Sequence, residues 1–346
     1  MTLSKPLPDK TQQQAPVADL RVNPLEHLAG HLKEDMDAVN ALIIDRMQSD
    51  IPLIPQLAGH LIAGGGKRIR PLLTLGSAAL FGYEGVRQHK LAACVEFIHT
   101  ATLLHDDVVD ESDQRRGKAS ANAVFGNEAA VLVGDFLFSR SFQLMVEDGS
   151  LEVLRILSNA SAVIAEGEVM QLTTANNLET TEEQYLQVIG SKTAALFAAA
   201  CEVGAIVADR PANECAALRD YGTYLGIAFQ ISDDVLDYRA SEERLGKSVG
   251  DDFREGKMTL PVLKALAKAT SAEKSFWQRT MADLEQTDDD LAEAQAILKK
   301  YKTLDASLAQ ARDYALKGKR ELDKLPGHPI RQNMAELIDF AVERDY

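Results

Sequence analysis

The sequence predicts an all-α protein, and three observations carry that expectation. No proline occurs between Pro71 and Pro211, and only Pro261 follows before Pro326. An interior proline costs a helix about 3 kcal/mol, so so long a gap suits long helices. Apolar and small residues recur in steps of three or four, as in Leu91, Val95, Ile98, Thr102 and His105, and in Leu151, Leu154, Leu157, Ala160 and Ile164. Strand-like alternation bounded by turn residues is hard to find anywhere.

In chain order, residues 1–22 are polar, rich in Gln and hold Pro6, Pro8 and Pro16; they are expected to form a mobile tail. Residues 23–346 show no Pro/Ser-rich linker, so one all-α domain of ten or more helices is expected. Its breaks fall at Gly64-Gly65-Gly66, at Phe81–Gly85, at Asp148-Gly149-Ser150 and across Leu245–Gly256. The Ala-rich stretch Ala194–Cys201 lets helices pack closely and reads as core or dimer interface rather than chemistry.

Composition narrows the function classes. With 37 basic and 52 acidic residues the net charge is −15, which argues against a general nucleic-acid binder that must neutralise phosphates. Stretches without Asp, Glu, Lys or Arg, such as Pro71–Tyr83 with 13 residues, are too short for a bilayer, so no transmembrane segment is expected. No basic start followed by an apolar core marks a secretory signal. Cys94, Cys201 and Cys215 are odd in number and lack CxxC spacing, which fits reduced thiols and a cytoplasmic location.

One short acidic pattern occurs twice, as Asp106-Asp107-Val108-Val109-Asp110 and as Asp233-Asp234-Val235-Leu236-Asp237. Each follows an apolar helical run. Residues four apart on a helix share a face about 6 Å apart along the axis, so Asp106 with Asp110, and Asp233 with Asp237, each present paired carboxylates. Like charges repel there and oppose the dipole at a helix C-terminus, so a cation is expected to compensate. Mg²⁺, which takes carboxylates together with phosphate oxygens, is the natural one.

Basic residues stand out against the acidic background. Gly64–Pro71 puts Lys67, Arg68 and Arg70 beside a glycine run and before a proline suited to a helix's first turn, a segment able to hold a phosphate. It lacks the spacing of a nucleotide P-loop. Arg115 and Arg116 follow the first acidic motif, and His99 lies almost two turns before Asp106 on its face. Lys192-Thr193 is expected to open the Ala-rich helix and offer free N–H groups to an anion. Lys247 and Lys257 punctuate a glycine-bearing stretch expected to be a mobile lid. No Ser/His/Asp or Cys/His nucleophile set can be assembled. Metals holding diphosphates fit this inventory better than covalent attack.

From about Leu57 onward the chain resembles the trans-type polyprenyl diphosphate synthases. The resemblance is carried by GGGKRIRP, IHTATLLHDDVVDESDQRRG, VGDFLFSRSF, GEVMQL, GSKTAALF, FQISDDVLDY and LGKSVGDDFREGKMTLP, in that order. It looks nearest to the long-chain members that make ubiquinone side chains, the octaprenyl, solanesyl and decaprenyl synthases. The resemblance implies an isoprenoid-synthase helical bundle around a central cavity, and a homodimer. It implies a reaction in which two or three Mg²⁺ ions draw on an allylic diphosphate until its C–O bond ionises. Isopentenyl diphosphate then attacks the allylic cation, and proton loss completes a five-carbon extension.

Carried over position by position, the resemblance makes Asp106, Asp110 and Asp233, with Asp237, the metal carboxylates. Lys67, Arg70, His99 and Arg116 are implied to bind isopentenyl diphosphate. Arg115, Lys192, Thr193, Gln230 and Lys247 are implied to hold the allylic diphosphate, with Lys257 close by; Lys192 and Gln230 also count among the catalytic residues. Small side chains at Ala101 and Thr102 are implied to leave a passage open for a long, membrane-partitioning product, with Ile98 deeper along the same helix. Ser248 and Asp251 depart from commoner choices in the lid. A cyclising terpene synthase is disfavoured by the second DDxxD and the Lys67/Arg70 segment. A subunit of a heteromeric synthase and a shorter-chain geranylgeranyl synthase stand as the alternatives.

Overall fold

The computed structural model describes residues 23–63, 65–115, 117–239 and 249–343. The expected tail at 1–22, Arg116, Lys247, Ser248 and the last three residues lie outside them.

The described chain is helical almost throughout. Helices α1 (Pro24–His31), α2 (Lys33–Arg46), α3 (Leu53–Ala63) and α4 (Ile69–Ala79) lead into α5 (Arg87–Val109). Pro71 falls in the first turn of α4, where its missing N–H has no partner to lose. The sequence reading gave no strands, and a single two-residue antiparallel pair, Gln114–Arg115 with Lys118–Ala119, now follows α5. Gly117, at φ 72°, makes that reversal possible. Next come α6 (Ala121–Phe125), α7 (Asn127–Asp148) and α8 (Leu151–Thr174). Gly149 ends α7 in the left-handed conformation, and the Ser150 hydroxyl caps α8 by accepting from the Val153 N–H.

Helix α9 (Glu182–Ile189) runs without a break through a π-helical turn, Gly190–Ala194, into α10 (Ala195–Val207). Helix α11 (Ala212–Arg239) carries the second acidic motif. A short α12 (Asp251–Arg254), then α13 (Leu260–Leu266), α14 (Ser271–Trp277), α15 (Asp290–Tyr301), α16 (Thr303–Leu322) and α17 (Pro329–Glu343) complete the bundle.

The bundle is organised around α5, α10 and α11. Helix α5 packs on α2, α4, α7 and α10, while α11 packs on α10, α16 and α17. The Ala-rich stretch is core: Ala194, Ala199, Ala200 and Cys201 are all buried. Close approach depends on absent side chains. A Cβ at Gly226 would lie 2.5 Å from Ala194 Cα, so only glycine lets α11 lean on the π-turn. Gly134 on α7 likewise makes room for His105, whose Nε2 sits 3.2 Å from the Val131 carbonyl and 3.4 Å from Asp135. The first acidic motif is thereby fixed in register against α7.

Helix α7 and the run Glu182–Val207 have the length and apolar composition of a membrane span. Both are built into the bundle: 67% of the apolar window in the second is buried, and α7 carries Asp135 and Arg140 along its length.

Candidate active site

The two acidic motifs sit at the C-terminal ends of α5 and α11, as expected, yet their aspartates divide by role. In the first motif Asp106 and Asp110 are partly exposed, while Asp107 is buried. In the second Asp233 is exposed and Asp237 partly so, while Asp234 is buried.

Each buried middle aspartate is bound from within the fold. Arg115 Nε lies 2.7 and 2.9 Å from the Asp107 oxygens, with Nη2 at 2.6 Å, a forked pair that fits guanidinium to carboxylate. Asp234 accepts from Tyr185 Oη at 2.6 Å and from Gln230 Nε2 at 2.8 Å. The Gln230 Oε1 in turn accepts from Thr193 Oγ1 at 2.8 Å.

Lysines supply the cations that paired carboxylates demand. Lys192 Nζ lies 2.6 Å from Glu168 and 3.6 Å from Asp106. Lys257 Nζ lies 3.5 Å from Asp110 and 3.9 Å from Asp252, and also pairs with Glu255. Burial pushes the Asp106 carboxyl up, Lys192 draws it back, and Asp110 adds to the rise. Glu168 is pushed up by burial and by Asp106. Lys257 moves upward although burial opposes it, because Asp252, Asp110 and Glu255 surround it. Asp110 raises the charge cost of Asp106, and both raise that of Glu168, so a divalent cation would offset a repulsion that the two lysines only partly relieve.

Asp237 departs from the expectation of a metal ligand. Its Oδ1 and Oδ2 accept from the backbone N–H groups of Asp251 and Asp252, at 3.2 and 3.1 Å, and so cap α12. Burial, reinforced by Asp252, pushes this carboxyl up to about 8.

The described part of the expected lid is also clamped rather than loose. Phe253 is buried, Asn176 N–H donates to the Gly256 carbonyl at 3.0 Å, and Gln286 Nε2 donates to the Phe253 carbonyl at 3.0 Å. Glycines in the sequence signalled freedom; Gly250 and Gly256 serve here for positive φ, at 81° and 66°. A second correction concerns Lys192 and Thr193. They do not open a helix with free N–H groups, because α9 flows into α10 through the π-turn. Backbone amides there are spent on the helix, and the side chains face the site.

One cavity borders the first motif at Asp107 and another borders the second at Asp234. The first lies among α2, α3, α5 and the short hairpin, and His60, Arg68, Glu96, His99, Asp107 and Arg115 are among its walls. Arg70 Nη1 meets His99 Nε2 at 3.0 Å, and the Arg70 guanidinium lies over the Phe197 ring at 4.4 Å, so two of the expected isopentenyl diphosphate residues touch. Neighbouring Arg68, with φ 48°, turns instead to an ion pair with Glu96. Lys67 borders a separate small apolar recess with Phe229 and Phe340. The other main cavity collects Lys192, Thr193, Gln230, Asp234, Asp252 and Lys257. Arg115 was expected with this allylic set, but the structure puts it on the first cavity's wall, drawn there by Asp107.

Ala101 and Thr102 do not behave alike. Ala101 is 1% exposed and Ile98 wholly buried, both packed into the core rather than lining an open passage. Thr102 is partly exposed on the Asp106 side of α5, its hydroxyl turned back to the His99 carbonyl at 2.8 Å. Glu168, Tyr185, Asp252 and Glu96 were missed as site residues. Glu168 and Asp252 stood within quoted motifs, but nothing in their spacing marked them.

Comparison with known proteins agrees with this architecture. The polyprenyl synthetase family model matches residues 51–298. Octaprenyl diphosphate synthase of Escherichia coli K12 is 48% identical over 321 residues, covering 93% of this chain and 99% of that protein. A decaprenyl diphosphate synthase structure from Rhodobacter capsulatus superposes with a TM-score of 0.90 at 56% identity, covering 93% of this chain and all of the other. A polyprenyl synthase from Caulobacter crescentus CB15, solved with calcium and isoprenyl diphosphate, gives 0.90 at 52% identity, over 93% of this chain and 98% of its own.

Proposed function

The chain belongs to the polyprenyl synthetase family and is a prenyltransferase, and from that premise we propose that it extends an allylic diphosphate with isopentenyl diphosphate to an all-trans product of eight to ten isoprene units. The observation that carries the reading is a pair of cavities, one walled by Asp107 and by His99, which Arg70 contacts, and the other by Asp234 with Lys192, Thr193 and Gln230.

In this reading Asp106, Asp110 and Asp233 are the metal carboxylates, being the partly or fully exposed motif members not engaged in capping α12. Asp237 acts as the cap of α12. Bound Mg²⁺ would supply charge to stabilise the departing diphosphate. The chain's own residues do the rest. Lys192 and Lys257, already at the acidic faces, turn their ammonium groups to the allylic diphosphate, with Lys247 as a further cation. Arg70 and His99, with Lys67 and Arg116, hold isopentenyl diphosphate, and Arg115 stays on Asp107 and steadies the wall between the two cavities. The Thr193–Gln230 pair offers oxygen atoms to the cationic carbon, a preorganised dipole in a site removed from water.

We further infer a homodimer joined through the outer faces of α7 and α8, where Leu132, Val146, Val169 and Leu172 are each more than 60% exposed. A cytoplasmic enzyme releasing a membrane-partitioning precursor of a ubiquinone side chain completes the proposal. The test is to incubate the purified chain with farnesyl and isopentenyl diphosphates and MgCl₂, then dephosphorylate and size the products. Chains of eight to ten units support it; products that stop at four, or none from this chain alone, overturn it.

A further inference from the structure

We infer that Tyr185 is a positioning residue for prenyl transfer, acting through Asp234 to fix which end of the Gln230 amide faces the substrate; the inference rests on the function proposed above. Tyr185 belongs to α9, and its ring is buried at 5% exposure. Its hydroxyl meets Asp234 Oδ2, the other carboxylate oxygen meets Gln230 Nε2 one turn earlier on α11, and Gln230 Oε1 meets the Thr193 hydroxyl. Three elements, α9, α11 and the π-turn, are tied by one run of hydrogen bonds.

The logic is one of donors and acceptors. The two ends of a side-chain amide match in shape and oppose in polarity. A carboxylate oxygen accepts, so the amide nitrogen must face Asp234 and the amide oxygen must face Thr193 and the cavity. A proton on Oδ2 would not change this, since the Tyr185 oxygen could accept it and Oδ1 would still receive the amide. The outcome is a partially negative oxygen in the wall of the cavity that holds Lys192 and Lys257. Such an oxygen favours the allylic cation over the neutral substrate, and so acts on the chemical step.

Without its hydroxyl, Tyr185 leaves Asp234 held by Gln230 alone. The carboxylate can then swing away from the Gln230 amide nitrogen, and the amide loses the acceptor that orients it. Arg70 is engaged with His99, Lys192 with Glu168 and Asp106, and Lys257 with Asp110 and Glu255, so diphosphate binding should persist.

The experiment is a double-variant cycle with Tyr185→Phe and Gln230→Met, assayed for kcat and for the KM of farnesyl and isopentenyl diphosphates. Tyr185→Phe is expected to lower kcat about tenfold with both KM values within about twofold. In the Gln230→Met background the same change is expected to lower kcat no further, because there is no amide left to orient. An unchanged kcat for Tyr185→Phe, or an equal loss in both backgrounds, overturns the inference. Thermal melting is recorded for each protein; if Tyr185→Phe melts below the assay temperature, Asp234→Asn, whose own amide can turn either way, replaces it with the same expected outcomes. An inactive wild type would refute the proposed function, whereas an active wild type with an additive cycle refutes this inference alone.

Discussion

Asp107 and Asp234 hold the same place in the two copies of the acidic pattern, and both turn inward: Asp107 to the Arg115 guanidinium, Asp234 to Tyr185 and Gln230. Asp106, Asp110 and Asp233 are thereby left to face the site, while Asp237 caps α12. A DDxxD segment thus combines outward carboxylates, two in the first copy and Asp233 in the second, with a buried anchor that sets the helix against its neighbours.

Asp106→Ala should nearly abolish product formation at saturating Mg²⁺ while the metal-free protein keeps its melting temperature or gains slightly. The change removes a carboxyl that burial already disfavours, and Lys192 retains Glu168 as its partner. Turnover near the wild-type rate would sink the metal assignment, and a large drop in melting temperature would sink the stability argument.

The two diphosphate pockets should be separable by kinetics. Arg70→Ala removes the contact to His99 and should chiefly raise the KM for isopentenyl diphosphate; Lys192→Ala should chiefly raise that for the allylic substrate. Each lost charge-assisted contact is worth about 1.5–3 kcal/mol. If both variants weaken both substrates equally, the partition is wrong.

Stability of the metal-free protein should fall as pH rises from about 4 to about 8. Burial and Asp252 hold the Asp237 carboxyl up near 8, against about 4 in the unfolded chain. Across that window the folded protein keeps a proton that the unfolded chain has released, so raising the pH favours unfolding, with no further loss from this group above it. Melting should therefore occur at a higher temperature at pH 6 than at pH 8.5, with a shallower slope in Asp237→Asn. Identical slopes in the two proteins would remove Asp237 from the account.

Thr102→Phe should shorten the product and leave allylic ionisation intact, because Thr102 sits one turn before Asp106 on its partly exposed side. Ala101→Phe should act differently, since Ala101 is packed in the core and extra volume there costs about 1–3 kcal/mol of stability. Product sizing together with thermal melting separates the two. Full-length product from an active Thr102→Phe would move the floor away from this turn.

Leu132→Asp should yield a monomer by sedimentation or light scattering, because this residue, 66% exposed on α7, lies in the face assigned to the partner copy. A dimer that survives the change places the interface elsewhere.

Much of this was legible in the chain. The proline gap announced α5, α7 and α8, the repeated pattern located both acidic helix ends, and the glycine–basic segment led to Arg70. The remainder depended on neighbours distant in sequence. Nothing in Asp233-Asp234 tells which carboxylate faces inward until Tyr185 is seen beside one of them. Lys192-Thr193 read as the start of the Ala-rich helix, yet a π-turn carries the helix through them without interruption. Glu168 looked like one more surface acid among 52 until the fold set Lys192 against it.

The ammonium groups of Lys192 and Lys257 also make occupation of the site an exchange. Each lysine must loosen its hold on an aspartate before another cation can share that carboxylate, so metal alone competes against a partner already in place. An arriving diphosphate offers both lysines a new anion, and the competition then relaxes. Metal and diphosphate should consequently strengthen one another's binding by the same factor, as any two linked ligands must. The protein can thereby stand with an electrostatically settled site while it is empty, and commit its aspartates only when both arrive.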